Sequence, residues 1–186
     1  MATWIVLGVA AAVVLLGVVL YNRLVRSGQL ASEGWSGIDV QLKRRSDLIP
    51  NLVTTVQGYA GHERALFAEV ARLRTEAGRI REDDVAGRAK AESKLASAVG
   101  QLLALAESYP DLKASENFGK LQAELARVED ELQMARRYYN GAVRNLNILV
   151  ESFPSNLVAQ LFGFRLRDYF EIDDRDRAVP QVAFKG

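Results

Sequence analysis

From Trp35 onward the apolar positions recur in alternating steps of three and four: Trp35, Ile38, Leu42, Arg45, Ile49, Leu52, Val56, Tyr59, Glu63, Leu66, Val70 and Leu73. This is the period of one helix face, and ten of the twelve slots are apolar or aromatic. The spacing predicts a packed helical seam of roughly 58 Å if it is continuous. Pro50 interrupts it. Either the helix kinks there, losing one backbone hydrogen bond, or Asp47 caps a new helix with Pro50 in its first turn. The unchanged phase across Pro50 favours the kinked continuous helix.

Helix quality falls after Thr75, with Gly78 and the acidic run Glu82, Asp83 and Asp84. Negative charge complements a helix N-terminus, so a helix is predicted from about Asp84 to Ser108, with Leu95, Val99, Leu102, Leu103 and Ala106 inward. Tyr109, Pro110 and Asp111 are turn residues. A second seam follows: Phe118, Leu121, Leu125, Val128, Leu132, Ala135, Tyr139, Ala142, Leu146, Leu149 and Phe153. Its first half has Gln122, Glu124, Glu129 and Glu131 as a solvated margin. In its second half Tyr138, Val143, Asn147 and Val150 widen the stripe beyond what one partner helix covers. That widening makes these four residues, around Asn140, a proposed self-association face. Pro154 stops the helix, and Asn156 is expected to cap a short turn that ends at Gly163.

The first 22 residues carry no side-chain charge, and Ile5 to Leu20 is almost wholly Val, Leu, Ala and Gly. A helix from Trp4 to Tyr21 is about 26 Å long, close to the hydrocarbon thickness of a bilayer. Trp4 and Tyr21 mark its ends, where amphipathic rings favour the headgroup level. No basic residue precedes the run and no small-residue cleavage site follows it, which favours a retained anchor over a signal peptide. Arg23 and Arg26 after the span point to a single-pass cell (inner) membrane protein, with N-terminus outside and the remaining chain cytoplasmic.

The expected fold is therefore all-α: one N-terminal transmembrane helix followed by an elongated antiparallel bundle of three to four long helices. Residues 1–26 form the anchor and juxtamembrane start, 27–162 the bundle, and 163–186 a partly irregular extension. Only Gln181 to Phe184 has any strand character.

Composition narrows the chemistry. The 24 basic and 23 acidic side chains nearly cancel, which argues against nucleic acid as a partner. There is no cysteine, so disulfides, thiolate metal sites and cysteine nucleophiles are excluded. The single histidine, His62, lies beside Glu63 and offers too few ligands for zinc; a structural hydrogen bond is its expected role. No phosphate loop, nucleophile elbow or paired-histidine metal motif is present. We expect no catalytic residues, no metal and no cofactor. Arg45 and Glu63 occupy core slots 18 residues apart, too far to pair along one straight helix. Each either snorkels to solvent or sets the register against another helix. Asn140 and Asn147 form either a surface polar ladder or interhelical hydrogen bonds.

Several runs resemble the LemA family of bacterial membrane proteins. They are DVQLKRR at 39–45, DLIPNL at 47–52 (with Asp47, Pro50 and Asn51), GYAGHE at 58–63 (with Tyr59, His62 and Glu63), YPDLKA at 109–114 and ENF at 116–118. Ala135 and Arg136 before Tyr139 and Asn140, Phe153 and Pro154 with Asn156, Gly163 and Phe164, and YFE at 169–171 extend the match over nearly the whole chain. Ser46 stands where histidine is common in the family, and Leu146-Asn147 where a second Tyr-Asn is common. The resemblance implies one membrane helix, a helical cytoplasmic domain and no established enzymatic activity. It also implies kinship with proteins that shape magnetosome membranes and with neighbours of membrane proteases. The expected function is a non-enzymatic scaffold that binds membrane lipid, forms a homo-oligomer and organises membrane or membrane-protein partners. The alternative is an accessory subunit of a membrane protease or envelope-stress system.

Overall fold

The computed structural model describes residues 1–81 and 83–171. Every regular element among them is a helix: α1 (Ala2–Gln57), α2 (Arg64–Arg79), α3 (Val85–Ala106), α4 (Pro110–Lys113), α5 (Glu116–Glu151) and α6 (Ser155–Phe162). The chain divides into two compact units. One comprises Met1–Leu48 with Lys120–Tyr169; the other is Ile49–Gly119, to which the chain returns at Phe170. The strand-like residues 181–184 and most of the expected C-terminal extension lie outside the described residues.

In the first unit α1 and α5 run antiparallel. Leu24 is buried with Leu146, Gly34 faces Tyr139, and Arg45 reaches Glu129, so numbers rise on one helix as they fall on the other. The two helices approach closely at Gly34, where an added Cβ would come within 2.9 Å of the Tyr139 Cα. Only glycine fits there. Trp35 follows with its ring 5.7 Å from that of Tyr139.

The first seam is real through Val56: Ile38, Leu42, Arg45, Ile49, Leu52 and Val56 are all buried. Pro50 lies inside α1, which passes it without a break. The expected single helix to Leu73 is not formed. α1 ends at Gln57, and the Tyr59 and Ala60 N–H groups close the end on the Val56 carbonyl. Gly58 and Gly61, three residues apart, each cost about 1 kcal/mol in a helix interior, and this doubled cost lets the chain turn. Tyr59 is consequently exposed and Glu63 is not a core residue. The inward phase shifts too: Phe67, Val70, Leu73 and Ala77 are buried on α2, whereas Leu66 is only partly covered.

In the second unit α2 packs on α3. Asp84 caps α3 by accepting the Gly87 N–H at 2.8 Å. Leu95, Val99, Leu102 and Ala106 face inward as expected, and Leu103 lies at the margin. The periodicity missed Glu92, buried on α3 and paired with Arg88 at 3.0 Å. The turn at Tyr109–Asp111 becomes the one-turn helix α4, with Pro110 in its first turn.

α5 follows the second seam closely, burying Phe118, Leu125, Val128, Leu132, Tyr139, Ala142 and Leu146. It stops at Glu151, so Phe153 leaves the seam and is exposed. Pro154 biases the residue before it away from helical backbone, which ends the helix early. Asn156 does not cap α6; Pro154 occupies the cap position and Asn156 lies inside the first turn. Gly163 ends α6 as expected, with φ 74°. The Phe164 N–H then bonds the Ala159 carbonyl and the Gly163 N–H bonds that of Gln160, a Schellman closure.

Candidate functional site

Because Met1 to Asn22 carries no side-chain charge, α1 begins as a purely apolar rod. By length and composition this stretch can cross a membrane, and no residue before Leu20 is buried within the chain. Packing begins only at Leu20 and Leu24. Trp4 is exposed near the N-terminal end, and the large residues between it and Val19 have no protein cover. An uncovered apolar surface of this extent exceeds what a soluble monomer presents to water and marks a membrane or protein interaction surface.

At the C-terminal end of the run Tyr21 packs on two rings, that of Phe162 at 4.7 Å and that of Phe164 at 5.9 Å. Arg23 and Arg26 are exposed one turn further on. Leu24 is fully buried with Leu146 and Ala159, and Leu149, Val150, Val158 and Phe164 pack around them. The end of the span is thereby fixed to the end of α5 and to α6.

Beside this cluster α5 holds the chain after α6 by its backbone. The Asn147 side-chain amide donates to the Arg167 carbonyl, and its Oδ1 accepts the Arg167 N–H, both at 3.0 Å. Eight residues back, the buried Tyr139 hydroxyl donates to the Asp168 carbonyl at 2.8 Å. The Arg167 guanidinium reaches Ser32 on α1. An amide presents both a donor and an acceptor, so Asn147 satisfies two backbone groups that have no ladder of their own. Burial pushes the Tyr139 hydroxyl above its ordinary pKa, with Asp168 adding to the rise and Arg167 opposing it. Sequence reasoning did not find this clasp. Its one signal was Asn147, a polar residue in a widening apolar stripe.

The clasp corrects part of the expected self-association face. Val143 and Asn147 are buried within the chain and face no free surface. Tyr138 remains exposed, with its hydroxyl 3.5 Å from Glu33, and Val150 is partly covered by the Leu24 cluster. Asn140 is half-buried.

Arg45 does not snorkel. It is 1% exposed and donates to Glu129 on α5 at 2.9 Å, so it ties the register of the two helices. Arg44 reaches Glu131 at 2.8 Å alongside. Glu63 forms a different tie: it accepts the Tyr109 hydroxyl and the His62 backbone N–H, each at 3.1 Å. The Tyr109 hydroxyl is held above its ordinary pKa, first by burial and then by Glu63. His62 is exposed, and its backbone, not its ring, makes that bond. Asp47 and Asn51 are exposed on α1; the Asn51 carbonyl accepts the Thr55 hydroxyl. Among the described residues, no group of three or more His, Cys, Asp or Glu side chains could hold a metal ion.

Comparison with known proteins gives this arrangement relatives. Two magnetosome proteins of Paramagnetospirillum magneticum, MamQ 1 and MamQ 2, are each 26% identical over 175 residues, covering 81% of this chain and 64% of theirs. MamQ of Magnetospirillum gryphiswaldense is 24% identical over 189 residues, covering 87% of this chain and 70% of its own. Protein LemA of Metamycoplasma hominis is 28% identical over 139 residues, covering 75% of this chain and 63% of its own. The chain thus spans just under two thirds of the length of most of these relatives. The LemA family model matches residues 34–184, which takes in the Arg45 tie, the Glu63 turn, all of α5 and the clasp. This chain belongs to the LemA family.

Proposed function

We propose that the protein is a membrane-anchored, non-enzymatic helical scaffold that assembles with itself and organises membrane or membrane-protein partners. The observation that carries this reading is the continuity of α1: the uncharged apolar run and the seam that packs on α5 lie on one unbroken helix. An anchor joined through a flexible linker would let the domain tumble. Here the anchor's orientation is passed directly to α5, which suits a part that spaces or aligns others. Confinement to a plane raises the effective concentration of neighbouring copies, so weak contacts count. Tyr138 and Ile148, exposed on α5, supply apolar surface for such contacts.

Native mass measurement of the full-length protein extracted in mild detergent tests the assembly. A defined homo-oligomer that Tyr138→Glu with Ile148→Glu dissociates, at unchanged helix content, supports the scaffold. A monomer recovered alone refutes self-assembly, and recovery only together with a membrane protease favours the adaptor role. Arg23 and Arg26 support a cytoplasmic domain. Protease added to sealed cells is then expected to leave the domain intact, and its cleavage without lysis would reverse the orientation.

A further inference from the structure

α6 is about 12 Å long, and packing within the chain leaves one of its faces bare. Ser155 and Ala159 point inward, and Val158 is partly covered. Leu157 and Leu161, four residues apart and so stacked on one face, are exposed, as is Phe162. Phe153, in the turn just before the helix, is 80% exposed and Leu161 is 78% exposed. Scattered apolar residues on a surface need no explanation. Here four large ones fall within ten positions, in a stretch from Ser152 to Phe164 that has no charged side chain.

Position supplies the occupant. Phe162 packs on Tyr21, the last aromatic residue of the uncharged run, and Ala159 is buried with Leu24 three residues further along α1. α6 therefore sits beside the point where the apolar rod gives way to Arg23 and Arg26. Arg165, exposed just beyond Phe164, adds a third cation near that point.

We propose that α6 and the Phe153 turn are a second membrane contact. They lie in the boundary between headgroups and acyl chains of the leaflet that Tyr21 reaches, with Phe153, Leu157, Leu161 and Phe162 immersed. Short amphipathic helices bury an apolar face at this depth, and the three arginines suit anionic headgroups. This inference rests on α1 spanning the bilayer. Its consequence is mechanical: a helix anchored at one point can rotate about its axis, whereas α6 fixes which face of α1 and α5 looks along the membrane.

Because the chain has no cysteine, single labels can be placed without background. Full-length Leu157→Cys, Leu161→Cys, Leu16→Cys and Val40→Cys, each carrying a polarity-sensitive fluorophore, are reconstituted in phosphatidylcholine–phosphatidylglycerol vesicles. Lipids bearing quenchers at shallow or deep acyl positions are then titrated in. Label at Leu16 should be quenched most by the deep quencher, labels at Leu157 and Leu161 several-fold more by the shallow than the deep one, and label at Val40 by neither. If Leu16 responds while Leu157 and Leu161 behave like Val40, the α6 contact is refuted and the anchor stands. If Leu16 is unquenched, the anchor reading falls and this inference with it. Labels on α6 that shift to the blue yet escape both quenchers would mean that protein, such as a second copy, covers the face, which also overturns the proposal.

Discussion

Gly28 and Gly34 sit on the same helix, outside the apolar run, and differ in what lies above them. A Cβ added at Gly28 meets nothing within 4 Å. One added at Gly34 would lie 2.9 Å from the Tyr139 Cα, 3.1 Å from the Tyr138 Cδ1 and 3.2 Å from the Tyr139 Cβ. The first of these atoms is backbone and cannot swing aside, so α1 and α5 must part locally. Gly28→Ala should therefore stabilise by the ordinary helix-interior gain of about 0.5–1 kcal/mol. Gly34→Ala gains the same amount but adds an overpacking cost of about 1–3 kcal/mol. The two variants should differ by that second amount, because backbone entropy cancels between them. With a urea dependence of about 2 kcal/mol/M, the unfolding midpoints separate by roughly 0.5–1.5 M. Trp35 lies against Tyr139 and reports the same contact; with only two tryptophans in the chain, its fluorescence can be read alone in a Trp4→Phe background in mild detergent. Equal upward shifts for both variants would show that α1 and α5 are not in close contact at Gly34.

Arg45 and Glu129 should be coupled: a double-mutant cycle to alanine followed by urea unfolding is expected to give more than about 0.5 kcal/mol. Arg45→Ala alone, which also empties a fully buried volume, should cost about 2–5 kcal/mol, and zero coupling would remove Arg45 as the register tie. Asn147→Asp keeps the acceptor for the Arg167 N–H but sets a carboxylate oxygen against the Arg167 carbonyl. A loss of about 1–3 kcal/mol and faster tryptic cleavage after Arg167 are expected, and unchanged cleavage would rule out the clasp. The raised pKa of Tyr139 means that its contribution to stability is complete below about pH 10 and is lost as pH climbs through the raised value. The alkaline fall in stability should therefore be shallower in Tyr139→Phe than in the parent protein; identical slopes would show that this hydroxyl is not buried in the folded state.

Periodicity alone was enough for the helices whose partners are long and regular. The seam from Ile38 to Val56 and, apart from the half-buried Leu121 and Ala135, that from Phe118 to Leu146 are buried as the three-four spacing requires, because a repeat of that period places its apolar residues on one helix face. The charge-free N-terminal run was equally legible, since hydrocarbon solubility is a property of side chains summed along a helix. The break at Gly58–Glu63 was not, because Tyr59 and Glu63 continue the seam's spacing and disguise two glycines. Polar residues in apolar slots were legible only as alternatives. Whether Arg45 snorkels or pairs depends on Glu129, 84 positions away, and no local pattern brings these two residues together. Val143 and Asn147 looked like surplus surface awaiting another subunit; both are buried within the chain instead, with the returning segment at Arg167 held on Asn147. That segment has no periodicity of its own, because its hydrogen bonds go to side chains of α5 and not to a ladder. Helix phase and solvent preference are local and can be read from the sequence. Which helices meet, where only glycine fits between them, and what closes over Asn147 are decided by packing in three dimensions.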